Sequence, residues 1–222
     1  MTRTTNARVA GVTFLAYIAA GITSMVLSGR VAGGEGLTAR LAAVANDATG
    51  VGLIVLLGLV QSFSALVLAV TLHALTREQD PDLALMGLAC RLGEGLLGSL
   101  AVPGWLALLS LARGGGGGAP DSPAAHVLAA YLLRGDMAFT ATFFAVGSTL
   151  FCYLFLRGRM IPLALAWLGV VASLLLVAVL PLQLAGFLRG PVTAFVWLPM
   201  LAFEVPLAFW LIFKGVAAPA RG

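Results

Sequence analysis

Charge is scarce in this sequence. Only 10% of its 222 residues are Asp, Glu, Lys or Arg, against about a quarter in a soluble domain. So few charges cannot clothe a water-soluble fold of this length, which still exposes a large surface to solvent. Cysteine and histidine are nearly absent, with two of each. Cys90 and Cys152 each sit inside an apolar run. That excludes a disulfide framework and a cysteine metal site, and it fits small polarisable packing residues. His73 and His126 fall near opposite membrane faces in the span assignment below, which excludes a bis-histidine haem or a shared metal. The sequence also lacks His-Glu-x-x-His, Gly-x-Ser-x-Gly and a paired-aspartate motif. Its glycine run, Gly114 to Gly118, has no Gly-Lys-Ser/Thr ending and follows no strand, so it is not a phosphate loop. No metal and no cofactor is expected.

What the chain has instead is apolar surface: 60% hydrophobic residues and a mean hydropathy of +1.03. A bilayer accommodates this by acting as the apolar solvent, and a spanning helix needs about 20 apolar residues. Six runs qualify, at about Val9 to Leu27, Val51 to Leu75, Leu83 to Leu111, Asp136 to Leu156, Ile161 to Leu184 and Val192 to Phe213. Backbone in hydrocarbon must satisfy its own hydrogen bonds, and no period-two alternation suggests a barrel, so these are helices. The expected fold is all-α: a polytopic transmembrane bundle of six helices, a single membrane domain over residues 1–222. The first run is longer than a signal-peptide core and ends in no small-x-small cleavage site, so it is expected to stay as the first helix. Leu37, Leu41 and Val44 outline a short interfacial helix. Residues 113–123 form a Gly-rich linker, and Ser122-Pro123 starts a surface helix towards Leu133.

The formal net charge is +4, but the basic residues stand singly at the ends of apolar runs. That is the pattern of topology signals and not of a nucleic-acid interface. With the N-terminus inside, the inner side holds Arg3, Arg8, Arg77, Arg157, Arg159, Lys214 and Arg221. The outer side holds Arg30, Arg40, Arg113, Arg134 and Arg189. This bias of seven to five favours both termini in the cytoplasm and a multi-pass protein of the inner (plasma) membrane. Membrane lipids are the expected partners, a hydrophobic small molecule fits the composition, and the sequence is compatible with an oligomer.

Charge inside the bilayer costs several kcal/mol and often marks function. Arg91 and Glu94 lie three residues apart and share a helix face. At 1.5 Å per residue, Arg91 lies about 12 Å and Glu204 about 15 Å from the inner face. The same arithmetic places Tyr17 about 13 Å, Ser148 about 12 Å and Gln61 about 22 Å deep. Asp136, with Thr140 and Thr142, falls in the outer half of the fourth helix. These depths converge on the middle of a core about 30 Å thick. The functional reading is a mid-membrane pocket. Arg91 is its permanent cation, one carboxylate balances it, and the other is free to bind a cation, relay a proton or act as a general acid. The structural reading is a buried ion pair that fixes helix register. Pro103, Pro199 and Pro206 suggest interrupted helices beside a site, although proline is also common in membrane helices. Gly87, Gly93, Gly95, Gly98 and Gly147 permit close helix approach.

Four segments carry a family resemblance. They are "RVAGVTFLAYIAAGI" from Arg8, "CRLGEGLLG" from Cys90, "FFAVGSTLFCYLFLRGRMIPLALAWLGVV" from Phe143 and "FEVPLAFWLIFKGV" from Phe203. In this order, over nearly the whole chain, they resemble the bacterial integral membrane family catalogued as domain of unknown function 4386. Most specific are Arg91-Leu92-x-Glu94, the arginines and Pro162 that enter the fifth helix, and Glu204 with Trp210-Leu211 and Lys214-Gly215 in the sixth. The resemblance implies a membrane bundle of this size and no activity. Three functional readings follow: a site for a small amphiphile, lipid or ion; an intramembrane enzyme using Glu94 or Glu204 as general acid on an isoprenoid- or lipid-like substrate; and an accessory subunit held together by its buried ion pair.

Overall fold

The computed structural model describes residues 1–114, 122–134, 138–190 and 192–218. Among them the chain forms ten helices and no strand. These are α1 (Arg3–Val31), α2 (Leu37–Asn46), α3 (Ala48–Thr76), α4 (Pro81–Gly98), α5 (Ala101–Ala112), α6 (Pro123–Arg134), α7 (Ala138–Arg157), α8 (Leu163–Leu184), α9 (Val192–Phe195) and α10 (Leu198–Phe213). Polar side chains start several of them. Thr2 accepts from the N–H of Thr5, Asp47 from Gly50, Asp80 from Leu83 and Ser122 from Ala125. Each satisfies a first-turn amide that the helix itself cannot. Pro81 and Pro123 then occupy the first helical position, where a missing N–H costs nothing.

Five stretches are long and apolar enough to cross a membrane: Arg3–Val31, Ala48–Thr76, Pro81–Ala112, Pro123–Arg157 and Leu163–Leu184. Leu198–Phe213 is a shorter apolar helix. Large apolar side chains such as Val127, Phe63 and Phe213 stand exposed on these helices, as they must where the neighbour is lipid and not water. The protein is an all-α, multi-pass membrane protein.

Two of the six sequence runs are broken. The run from Leu83 to Leu111 becomes α4 and α5, parted at Ser99 and Leu100. In a continuous helix Pro103 would owe an N–H to Ser99, and its ring would strike that carbonyl. The carbonyl instead accepts from the N–H of Val102 at 3.0 Å, in a tighter turn. The run from Val192 to Phe213 is parted at Val196 and Trp197, just before α10 opens with Leu198 and Pro199. Pro206 is tolerated inside α10.

The helices fall into two compact units, to each of which α1 and α3 contribute a part. The first comprises Met1–Tyr17, Phe63–Leu97 and Met137–Gly222. There α8 packs on α7 and α10 around a core that includes Phe14, Leu72, Phe151, Phe155, Leu176, Phe203 and Leu207. Glycine makes the close approaches. A Cβ on Gly11 would stand 2.5 Å from the Ala208 carbonyl oxygen, and one on Gly169 would stand 2.6 Å from the Phe203 ring. In bilayers such contacts substitute for the hydrophobic drive between helices. One end of this unit is tied by ion pairs, Arg3 to Glu78 and Arg157 to Asp80, both at 3.1 Å. A backbone bond from Ala217 N–H to the Met160 carbonyl, 3.0 Å, lies at the same end.

The second unit comprises Ile18–Ser62 and Gly98–Asp136. Here α2 packs on α5 and α6 and buries Val44 together with Val31, Val51, Ile54 and Leu108.

Candidate functional site

Arg91 and Glu94 lie one turn apart on α4, and both face inward, 1% and 4% exposed. Arg91 Nη1 is 2.9 Å from Glu94 Oε2. Yet among the described residues none of the three guanidinium nitrogens aims an N–H along a hydrogen bond, and Glu94 Oε2 accepts none. The pair is a close charge contact without directional bonding. Its attraction is strong where water is excluded, and a guanidinium carries more N–H donors than this one contact can use.

The surroundings are built by three other helices. From α1, the Tyr17 hydroxyl donates to Glu94 Oε1 at 2.6 Å, while its ring lies 5.7 Å from the Arg91 Cζ. From α7, the Phe144 ring lies 4.8 Å from the same carbon, so the guanidinium is held near two aromatic faces. Gly147, nearly one turn further along α7, clears the way for this. A Cβ there would meet Arg91 Cγ at 3.0 Å and Cys90 Cβ at 3.1 Å. From α10, Glu204 is 5% exposed and feels the charges of both Arg91 and Glu94. Its Oε1 has no hydrogen-bond partner among the described residues. Cys152 on α7 feels Glu204 and Arg91 and lies against Gly169 of α8.

Of the residues singled out in the sequence, Tyr17, Arg91, Glu94 and Glu204 meet in the first unit. Ser148 is buried in that unit too, on the α7 stripe that runs Phe144, Ser148, Cys152 at four-residue spacing. Gln61 belongs to the second unit, where its amide nitrogen lies against Gly21. Asp136 lies outside the described residues. Phe144 and Cys152 are the neighbours that sequence reasoning did not bring to the site, and Gly147, expected to permit close helix approach, does so here. The signal was available, since Phe144 and Cys152 lie four residues either side of Ser148 and share its helix face.

Chemically the cluster holds one guanidinium paired with Glu94 at 2.9 Å and a second buried carboxyl, Glu204, whose Oε1 has no hydrogen-bond partner among the described residues. Buried polar groups ordinarily find partners. A ligand or water offering both acceptors and donors would complete the set. Two surface cavities lie elsewhere. One of about 520 Å³ is in the second unit, lined by residues including Gly33, Arg40 and Arg134. One of about 420 Å³ is in the first unit, lined by residues including Arg159, Trp210 and Lys214.

The profile of one family, described as "Domain of unknown function (DUF4386)", matches residues 9–215. No curated protein and no solved structure matches the chain.

Proposed function

Since the chain belongs to the family described as domain of unknown function 4386, a description that assigns no activity, we propose a function from its own residues: binding of a small amphiphile, lipid or ion inside the bilayer at the Tyr17–Arg91–Glu94–Glu204 cluster. Arg91 anchors the acceptor atoms of the ligand. Glu94 is held by Tyr17 and balances Arg91. Glu204, whose charge Arg91 does not also cancel, takes a cation, a donor group or a proton. The membrane is the inner (plasma) membrane, with both termini in the cytoplasm as the basic residues favour.

The supporting observation is a fully buried arginine whose close ionic partner is Glu94, in the unit that also buries Glu204, whose Oε1 lacks a hydrogen-bond partner among the described residues. A purely structural ion pair gains its stability from saturating those groups, because each one left bare costs free energy. Native mass spectrometry of gently solubilised protein tests this, with Arg91→Leu and Glu204→Gln beside the wild type and melting temperature followed in parallel. The expected result is a bound species in the wild type that disappears in Glu204→Gln while its melting temperature holds. No bound species in any sample, with melting temperature collapsing in both variants, sinks the proposal and leaves the cluster as a structural tie.

One observation favours a second reading, an intramembrane enzyme acting on an isoprenoid- or lipid-like substrate. General acid catalysis needs a second polar group within hydrogen-bond reach of the acid, and Tyr17 lies 2.6 Å from Glu94. Turnover of a hydrophobic substrate that is lost in Tyr17→Phe would favour this reading over simple binding.

A further inference from the structure

The two motifs of the sequence that the mid-membrane cluster does not use, the arginines before Pro162 and the Trp210–Lys214 end of α10, meet in the first unit. The α7 helix ends in a bond from Met160 N–H to the Phe155 carbonyl, 3.0 Å, and one from Arg159 N–H to the Leu156 carbonyl, 3.1 Å. This ending requires a left-handed residue, usually glycine. Here it is Arg159, at φ 49°. The α10 helix, by contrast, leaves its left-handed position to Gly215, at φ 72°. An arginine where glycine fits more easily suggests a use for its side chain.

Arg159 opens onto the cavity of about 420 Å³, a size that suits a small ligand. Lys214 and the half-buried Trp210 line it too, and the bond from Ala217 N–H to the Met160 carbonyl joins the two segments. No acidic residue lines it, and neither cation forms an ion pair among the described residues. Pro162 caps α8 with no side-chain bond, so the first amides of that helix add partial positive charge to the same place. Tryptophan at such a position has one apolar face for acyl chain and one polar edge for the headgroup layer.

We propose that this cleft binds the phosphate of an anionic phospholipid headgroup, with Arg159 and Lys214 as its cations and Trp210 against the glycerol and upper acyl chain. Basic pockets between membrane helices are suited to such headgroups. Free phosphate offers the same oxygens but nothing for Trp210.

The test uses delipidated full-length protein in detergent, titrated with phosphatidylglycerol, phosphatidylcholine or inorganic phosphate and read by native mass spectrometry. The double variant Arg159→Gly, Lys214→Gln should fold, because glycine suits the left-handed position; its melting temperature checks that. Its phosphatidylglycerol affinity should fall roughly thirtyfold, the loss of two headgroup-adjacent cations, with phosphatidylcholine binding unchanged. Glu204→Gln should retain phosphatidylglycerol binding, which separates this site from the mid-membrane cluster. Equal phosphatidylglycerol affinity in wild type and double variant overturns the proposal. Displacement of the lipid by an equal concentration of inorganic phosphate overturns the lipid assignment. Should the double variant fail to fold, Lys214→Glu alone must weaken phosphatidylglycerol binding or the proposal falls.

Discussion

Arg91 pairs with the buried carboxylate of Glu94 at 2.9 Å, so the consequence of removing it depends on what is removed with it. In Arg91→Met, Glu94 keeps the Tyr17 hydroxyl but loses its charge partner while still 4% exposed. Breaking a buried pair from one side in this way costs about 3–5 kcal/mol. In the double variant Arg91→Met, Glu94→Gln no new charge is stranded, and most of that loss should return. Thermal and chemical unfolding in detergent measure it. If the double variant is as unstable as the two single variants added together, the pair is not coupled and the charge contact at 2.9 Å does not matter for stability. At this scale the sequence offers an estimate of depth but none of direction. Counting residues from helix ends put Tyr17, Arg91, Ser148 and Glu204 at one level. Which of them face one another depends on helix rotation, which the 1.5 Å rise does not encode. Gln61 shows the cost, for it satisfied the depth criterion and belongs to the other unit.

The helices themselves were largely legible, because an uninterrupted apolar run of 20 residues has few alternatives in a membrane. The short α2 was legible as well, since Leu37, Leu41 and Val44 recur at helical spacing and Val44 is buried. The breaks were less so. The position of Pro103 was plain, but the split follows from the Ser99 carbonyl four residues earlier, where the ring strikes. Helix contacts are governed by glycine in a way that distance criteria predict sharply. Ala at Gly11 puts Cβ 2.5 Å from the Ala208 carbonyl oxygen and 2.7 Å from Ile212 Cγ1. Backbone cannot withdraw as a side chain can, so Gly11→Ala should destabilise by about 1–3 kcal/mol. Gly52 on α3 is exposed and has nothing within 4 Å of its ideal Cβ. There Gly→Ala should stabilise by roughly 0.5–1 kcal/mol through the lost backbone freedom of glycine. Melting temperatures moving in opposite directions would support this account of α1 on α10, and a neutral Gly11→Ala would refute it.

For the whole molecule, topology turns on α10. Its 16 residues rise about 24 Å, short of a hydrocarbon core about 30 Å thick. With only the five longer stretches crossing, the two termini would lie on opposite sides. The contacts of the first unit argue otherwise. The ion pair of Arg3 with Glu78 joins the start of α1 to the turn between α3 and α4. That of Asp80 with Arg157 joins this turn to the end of α7. The Ala217–Met160 backbone bond joins the α7–α8 turn to the segment after α10. Both ends of the described chain therefore stand at one end of this unit, which predicts that α10 returns across the membrane and that the lipid or flanking α9 absorbs the mismatch. Thiol labelling with a membrane-impermeant reagent decides it, in a background with Cys90 and Cys152 replaced by alanine. Single cysteines at Thr2 and Ala218 should label from the same side, which the positive-inside bias predicts to be the cytoplasmic one. Glu35→Cys, just beyond the far end of α1, should label from the opposite side. Thr2 and Ala218 labelling from opposite sides would mean that α10 does not cross and that the contacts tying it to the α7–α8 turn do not form in the membrane.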